Sequence, residues 1–267
     1  MQILTKLLFP YGHDLFGIYR KNLLYNIVGR NLKLKYRQSY MGMLWTLLIP
    51  AFSAIIYYFV FQIIMKVQIP NYLLFVLSGL VPWTFLSGTA LGAMESIVLH
   101  GYLINKVPVP PSIFPLTETI TGFINFLLAI PILFIVAFIT QAPINFSVFY
   151  LPLLFALLFV QTYSISLALG TLFVYFRDLR HLMTLILQVW FYLTPVIYSE
   201  SMIPENFKWI SKANPSAYLF SGIHNIFVFG QGPTPEMLLI SCLWTFGLLM
   251  LSFWIYKKIS TFIAENI

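Results

Sequence analysis

The chain has 267 residues, 60% of them hydrophobic and only 9% charged, with a mean hydropathy of +0.86 and a formal net charge of +7. A soluble domain of this size needs far more charge to cover its surface, so the composition points to an all-α polytopic membrane protein. The excess of basic residues does not call for nucleic acid, because most of them precede the first apolar run or sit in short connections, as the positive-inside rule requires.

In chain order, residues 1–38 read as a cytoplasmic N-terminal segment, 39–258 as a transmembrane domain and 259–267 as a cytoplasmic tail. From Leu23 to Tyr40 a helix advancing ~100° per residue gathers Arg30, Lys33 and Arg37 within an arc of roughly 60°. Leu24, Ile27, Val28, Leu32 and Tyr36 fall largely on the other side, and Lys35 is the exception, placed to snorkel. This is the pattern of a helix lying in the cytoplasmic interface plane, and taken alone it also serves as a topological anchor. No cleavable signal peptide is expected, because the first long apolar run begins only near Met41.

Apolar runs of spanning length occur at about 41–64, 72–98, 114–140, 148–175, 181–199 and 236–256. Six spans put both termini on one side. Twelve of the fifteen Lys and Arg then fall on that side, leaving Lys66, Lys208 and Lys212 on the other, so both termini are expected in the cytoplasm. Prolines interrupt most of the spans: Pro50, Pro82, Pro131, Pro152 and Pro195. The segment from Ala217 to Gly230 is apolar but too short to cross. It reads as a re-entrant, membrane-dipping piece of the outer face, within a loop of about 203–232.

Chemistry is sparse. None of the 14 glycines is followed by lysine, so the chain has no phosphate-binding P-loop of its own. The centres of the spans lack Asp, Glu, Lys, Arg and His, which disfavours a proton- or ion-coupled carrier. Glu95, His100 and Glu118 flank the connection between spans two and three, either as interfacial charges or as a polar network that fixes that loop. Glu200, Glu205, His224 and Glu236 are scattered without metal-ligand spacing, so neither a metal site nor catalytic residues are expected. The single cysteine, Cys242, excludes an internal disulfide.

The run RNLKLKYRQSYMGMLWTLLIP, from Arg30 to Pro50, resembles the start of ABC-2 type permeases of the polysaccharide export family. The residues that carry the likeness are Arg30, Leu32, Lys33, Lys35, Tyr36, Arg37, Ser39, Gly42, Trp45 and Pro50, with Met41 replacing a more usual aliphatic residue. The likeness continues in KVPVPPSIFPL, in YFRDLRHLMTLILQVWFYLTPVIYS and in ANPSAYLFSGIHNIF. It implies six spans, a homodimer, and two copies of a separate ABC ATPase that binds ATP and magnesium. The loop of about 100–113 resembles the coupling element that docks on that ATPase. Gly101, Tyr102, Lys106, Val107, Pro108, Pro110 and Pro111 are its candidate contacts, together with Arg30, Lys33 and Arg37. Prolines there remove backbone donors and fix φ, which suits a stiff knob. The outer segment resembles the family's re-entrant gate helices, with Asn214, Pro215, Tyr218, Gly222 and His224 as gate candidates. Pro215 and Gly222 suit a short helix-turn-helix.

Sugars pack their C–H faces on aromatic rings, so Trp45, Phe52, Tyr57 and Tyr58 in span one and Trp190, Phe191 and Tyr192 in span five are candidate channel residues. The same rings also suit lipid-facing belts. Family members export lipid-linked O-antigen, capsular polysaccharide or wall teichoic acid across the bacterial plasma membrane, and this chain is expected to do the same. The alternatives are an ABC-2 exporter of drugs or lipids, and a polytopic enzyme acting on lipid-linked sugars.

Overall fold

A computed structural model of the protein describes residues 18–37, 41–106 and 109–260. Among them are ten α-helices and no strand. They are α1 (Ile18–Tyr36), α2 (Trp45–Tyr57), α3 (Tyr72–Leu99), α4 (Gly101–Lys106), α5 (Ile113–Ile139), α6 (Leu151–Phe173), α7 (Leu179–Leu193), α8 (Lys208–Ala213), α9 (Ala217–Phe229) and α10 (Pro235–Ile259). A π-helical stretch, Tyr58–Ile64, extends α2, and a 3-10 turn, Phe146–Tyr150, leads into α6. The Gln38–Tyr40 linker, Val107, Pro108 and most of the expected tail lie outside the described residues.

Among the described residues, five segments are long and apolar enough to cross a membrane: Trp45–Ile64, Tyr72–Leu99, Ile113–Ile139, Phe146–Phe173 and Pro235–Ile259. The sixth expected span, at about 181–199, is the 15-residue helix α7. At 1.5 Å per residue it covers roughly 22 Å, short of the ~30 Å hydrocarbon core. Pro195 ends it, because the residue before a proline avoids helical dihedrals, and Thr194 is extended at φ −92°, ψ 136°. The chain then runs on in non-helical form with Thr194, Pro195, Val196 and Ile197 all buried. Of the other prolines expected inside spans, Pro50, Pro82 and Pro131 are there, whereas Pro152 sits in the first turn of α6. That is where its missing N–H is not needed.

α3 is the axis of the bundle. It packs on α5, α6, α9 and α2, and 78% of its most apolar stretch is buried, against 11% for the first span. α10 packs on α6 and α9, and α1 lies across α5. Close approach needs small residues. A Cβ on Gly122 of α5 would meet the Thr89 hydroxyl of α3 at 2.1 Å, so larger side chains there force the two helices apart. α2 and α7 are peripheral. α7 buries only Met183, Leu187 and Phe191, a stripe at four-residue spacing, and presents Leu182, Leu185, Ile186 and Val189 outward. Several buried hydroxyls in the long helices return to their own helix, as Ser96 does to Ala93 O and Thr121 to Thr117 O, whereas Thr162 and Ser166 of α6 and Ser241 and Thr245 of α10 are buried without a hydrogen-bond partner.

Candidate functional site

Two polar constellations lie at opposite ends of α3. Ser78 and His100 mark them, roughly 33 Å apart at 1.5 Å rise per residue. We call the end that carries α1 the charged end and the other the hairpin end.

At the charged end, Ile27 and Val28 of α1 are buried while Arg30, Lys33 and Arg37 are exposed, as the periodicity requires. Ile27 joins an apolar cluster with Val109, Phe114 and Tyr256. Three side-chain contacts then fasten α1 to the spans. Arg30 donates to Nε2 of His100 at 3.2 Å, Asn31 donates to Oε1 of Glu118 at 2.7 Å, and Tyr36 donates to Oδ1 of Asn125 at 2.5 Å. Thr46 of α2 bonds the same phenol, which ties the interface helix directly to the first span. Because a guanidinium only donates, His100 carries its proton on Nδ1 and gives it to Ser96 O at 2.8 Å. Its ring stacks on Phe114 with centroids 4.6 Å apart. Burial holds the His100 pKa below its ordinary value, and the Arg30 charge acts in the same direction. Burial also lowers the pKa of Lys35, and the Glu118 charge opposes this. His100 and Glu118, two of the three charges that flank the loop, thus hold α1 against the spans. Glu95, the third of them, pairs instead with Arg180 of α7.

The proline knob needs correcting. Gly101, Val109 and Pro110 are buried and Pro111 is half-buried, because the cluster around Ile27 and Phe114 draws this part of the loop inward. What projects is the end of α3 and the short helix α4, with Leu99 73% and Tyr102 70% exposed. Lys106 lies with its ammonium 4.1 Å from the centre of the Tyr102 ring, a cation–π pair on the same surface. Lys33 and Arg37 line a groove of about 840 Å³ with Arg30.

At the hairpin end, α8 and α9 form a helix-turn-helix whose turn is Asn214, Pro215 and Ser216. Asn214 is 6% exposed and its amide is fully used. Oδ1 accepts from Trp190 Nε1 at 2.8 Å and from Ser216 N at 3.0 Å, while Nδ2 donates to Leu193 O at 3.0 Å and to Thr194 Oγ1 at 2.9 Å. The side chain therefore caps the broken end of α7 and binds it to the hairpin. His224, 3% exposed, donates from Nε2 to Pro195 O at 2.8 Å and accepts at Nδ1 from Ser78 of α3 at 2.8 Å. It stacks on Phe75 at 4.0 Å. Tyr72 donates to Ile197 O at 2.7 Å, so the carbonyls freed by the break in α7 are met from inside the protein. Gly222 is not in the turn. It lies mid-α9 against Leu154 and Pro233, and the glycine that ends α9 is Gly230, at φ +64°. Tyr218 is buried at the start of α9, and beside the hairpin burial raises the pKa of Glu200, whose carboxylate accepts from Ser221.

The seven aromatic candidates divide. Trp45, Phe52, Tyr58 and Tyr192 are exposed on α2 and α7. Tyr57 packs half-buried on Phe191, which is itself buried under Trp83 at 5.6 Å. Trp190 meets Trp83 edge-on and spends its N–H on Asn214. Trp190 and Phe191 thus work inside the protomer, because their side of α7 is the buried stripe. Asn31, Asn125 and Ser78 did not figure among the sequence candidates. A polar amide in the apolar run FINFLLAI was the one signal available for Asn125.

Residues 22–228 match the family model of the ABC-2 type transporter. An O-antigen export system permease protein RfbA from Klebsiella pneumoniae is 35% identical over 215 residues, 79% of this chain and 82% of that protein. A second RfbA from the same organism is 34% identical over 213 residues, again 79% and 82%. The permease of the same name from Myxococcus xanthus is 31% identical over 221 residues, 82% of this chain and 85% of its own. With several apolar helices long enough to cross and a match along most of its length, this chain belongs to the ABC-2 type transporter family, as a multi-pass permease of the inner membrane.

Proposed function

We propose that the protein is the permease subunit of an ATP-driven exporter that moves a lipid-linked polysaccharide of the O-antigen type from the cytoplasm to the outer leaflet. The observation that carries this reading is its likeness to three O-antigen export permeases, each over about four fifths of both chains. The chain lacks a P-loop, so ATP and magnesium belong to a separate ABC ATPase. Two permeases and two ATPases make up the working unit. The charged end faces the cytoplasm, in keeping with the charge bias, and α7 with the buried stretch to Ile197 makes the sixth crossing.

The roles follow from exposure. Leu99, Tyr102 and Lys106 form the surface that the ATPase grips, and the basic face of α1 lies beside it. The ATPase's stroke reaches α3 through His100 and Arg30, α5 through Asn31 and Glu118, and α2 through Tyr36 and Thr46. The exposed faces of α2 and α7 meet the second subunit and the glycan, with Trp45, Phe52, Tyr58 and Tyr192 as sliding contacts. The hairpin closes the outer end of the pathway.

The test is genetic replacement. In cells lacking their own O-antigen permease, this chain together with its own ATPase should restore surface polysaccharide. The chain without that ATPase should insert but restore none. Export with the permease alone would overturn the two-component reading.

A further inference from the structure

A cavity between α1, α2, α3 and α5 is bordered by Asn31, Tyr36 and Glu118 of the coupling path, and no role above gives it a ligand. Its volume is about 510 Å³, within the range of small-molecule sites. It lies level with α1, and Leu34, Trp45 and Ile49 at its rim are all exposed, so it is reached from the side, as a lipid would reach it.

Two charged groups in its wall lack a full set of partners. The Lys35 ammonium has no hydrogen-bond or ion-pair partner among the described residues. Glu118 gives Oε1 to Asn31, and no described residue donates to Oε2. Lys35 is near enough to feel the Glu118 charge, yet the two do not close to the 4.0 Å of an ion pair. A base and an acid thus share one cavity, and the rest of the wall is largely apolar, including Phe85 and Phe126.

A ligand that matches these groups accepts from Lys35, donates to Glu118, and continues as hydrocarbon. We infer that the cavity binds the headgroup of one aminophospholipid from the adjoining leaflet, the inner one in the orientation proposed above. Its phosphate oxygens accept from Lys35, its primary ammonium donates to Glu118, and its chains leave past Leu34 and Ile49. A phosphoglycerol headgroup brings no cation to Glu118. A choline headgroup brings a cation without N–H. The bound lipid braces α1 against α2 and α5, beside the Asn31 and Tyr36 contacts.

The experiment uses the full chain purified in detergent and stripped of lipid. Phosphatidylethanolamine, phosphatidylcholine and phosphatidylglycerol are added in mixed micelles, with binding read by native mass spectrometry and thermal shift. Phosphatidylethanolamine should bind about tenfold more tightly than the other two, the scale of one charge-assisted hydrogen bond. Glu118→Gln keeps the acceptor for Asn31 and should erase that preference. Lys35→Met keeps the apolar stem but loses the ammonium, and should weaken binding about tenfold. Gly88 lines the cavity, and a Cβ there meets nothing within 4 Å, so Gly88→Leu should fold normally and exclude the lipid. Equal binding of all three lipids, or retention by Gly88→Leu, would overturn the assignment. Preferential displacement by a polyprenyl phosphate would overturn it too, by giving the site to the transported carrier. None of these readouts depends on export.

Discussion

At the hairpin end, the buried side chains of Asn214 and His224 complete four and two hydrogen bonds, four of the six in the buried interior and those to Trp190 and Leu193 part-buried. At the charged end, α1 is held by part-buried side-chain contacts of Arg30, Asn31 and Tyr36, and those of Asn31 and Tyr36 border a cavity. A buried and fully satisfied network is costly to open, because every broken bond strands a donor or acceptor away from water. Partly exposed contacts are replaced by water as they open. The hairpin is therefore built into its own protomer and moves with α3. The charged end is the joint that can flex.

The largest effect should come from breaking the hairpin end. Asn214→Ala strands the Trp190 N–H and the Leu193 carbonyl together, and should destabilise the protein by about 3 kcal/mol or more, seen as a lower melting temperature and poor yield. At the charged end, Asn31→Ala combined with Tyr36→Phe removes two contacts worth about 1 kcal/mol each. Membrane insertion should survive while the export rate falls severalfold, which would separate coupling from folding. Equal loss of yield in both variants would erase the contrast between the two ends.

A smaller effect should appear at the surface proposed to meet the ATPase. Tyr102→Ala removes an exposed ring, so stability should stay within about 0.5 kcal/mol, while co-purification of the ATPase weakens. The smallest effect is acid release at His100. An unfolded ring takes up its proton near pH 6.5, and the buried ring only at lower pH. The junction is intact above that value and loses stability as pH falls from there through the folded pKa, when Nε2 becomes a donor facing Arg30. Protease nicking of α1 should rise on acidification in the parent and not in His100→Gln.

Much of this was legible from local pattern. The 3.6-residue period placed Arg30, Lys33 and Arg37 on the exposed face of α1, and the length of the apolar run marked α9 as too short to span. Pro195 also carried a local signal, which the continuous hydropathy of 181–199 masked. The rest was set by tertiary contacts that no local window contains. Val109 and Pro110 turn inward because Ile27, far upstream, completes their cluster. Asn214 becomes a hub only when the broken end of α7 returns to it, and Asn125 acquires its phenol from α1 across the bundle.

Site-directed crosslinking tests the central claim most directly, in a Cys242→Ser background that removes the chain's free thiol. One pair, Asn31→Cys with Glu118→Cys, ties α1 to α5 where the side chains now meet at 2.7 Å. The other, Gln161→Cys with Ser216→Cys, ties α6 to the hairpin turn, where the side chains now meet at 3.2 Å. With a short bifunctional thiol reagent, the first crosslink should stop polysaccharide export and the second should leave it running. Export that survives the first crosslink and stops with the second would contradict a fixed hairpin and a flexing interface helix.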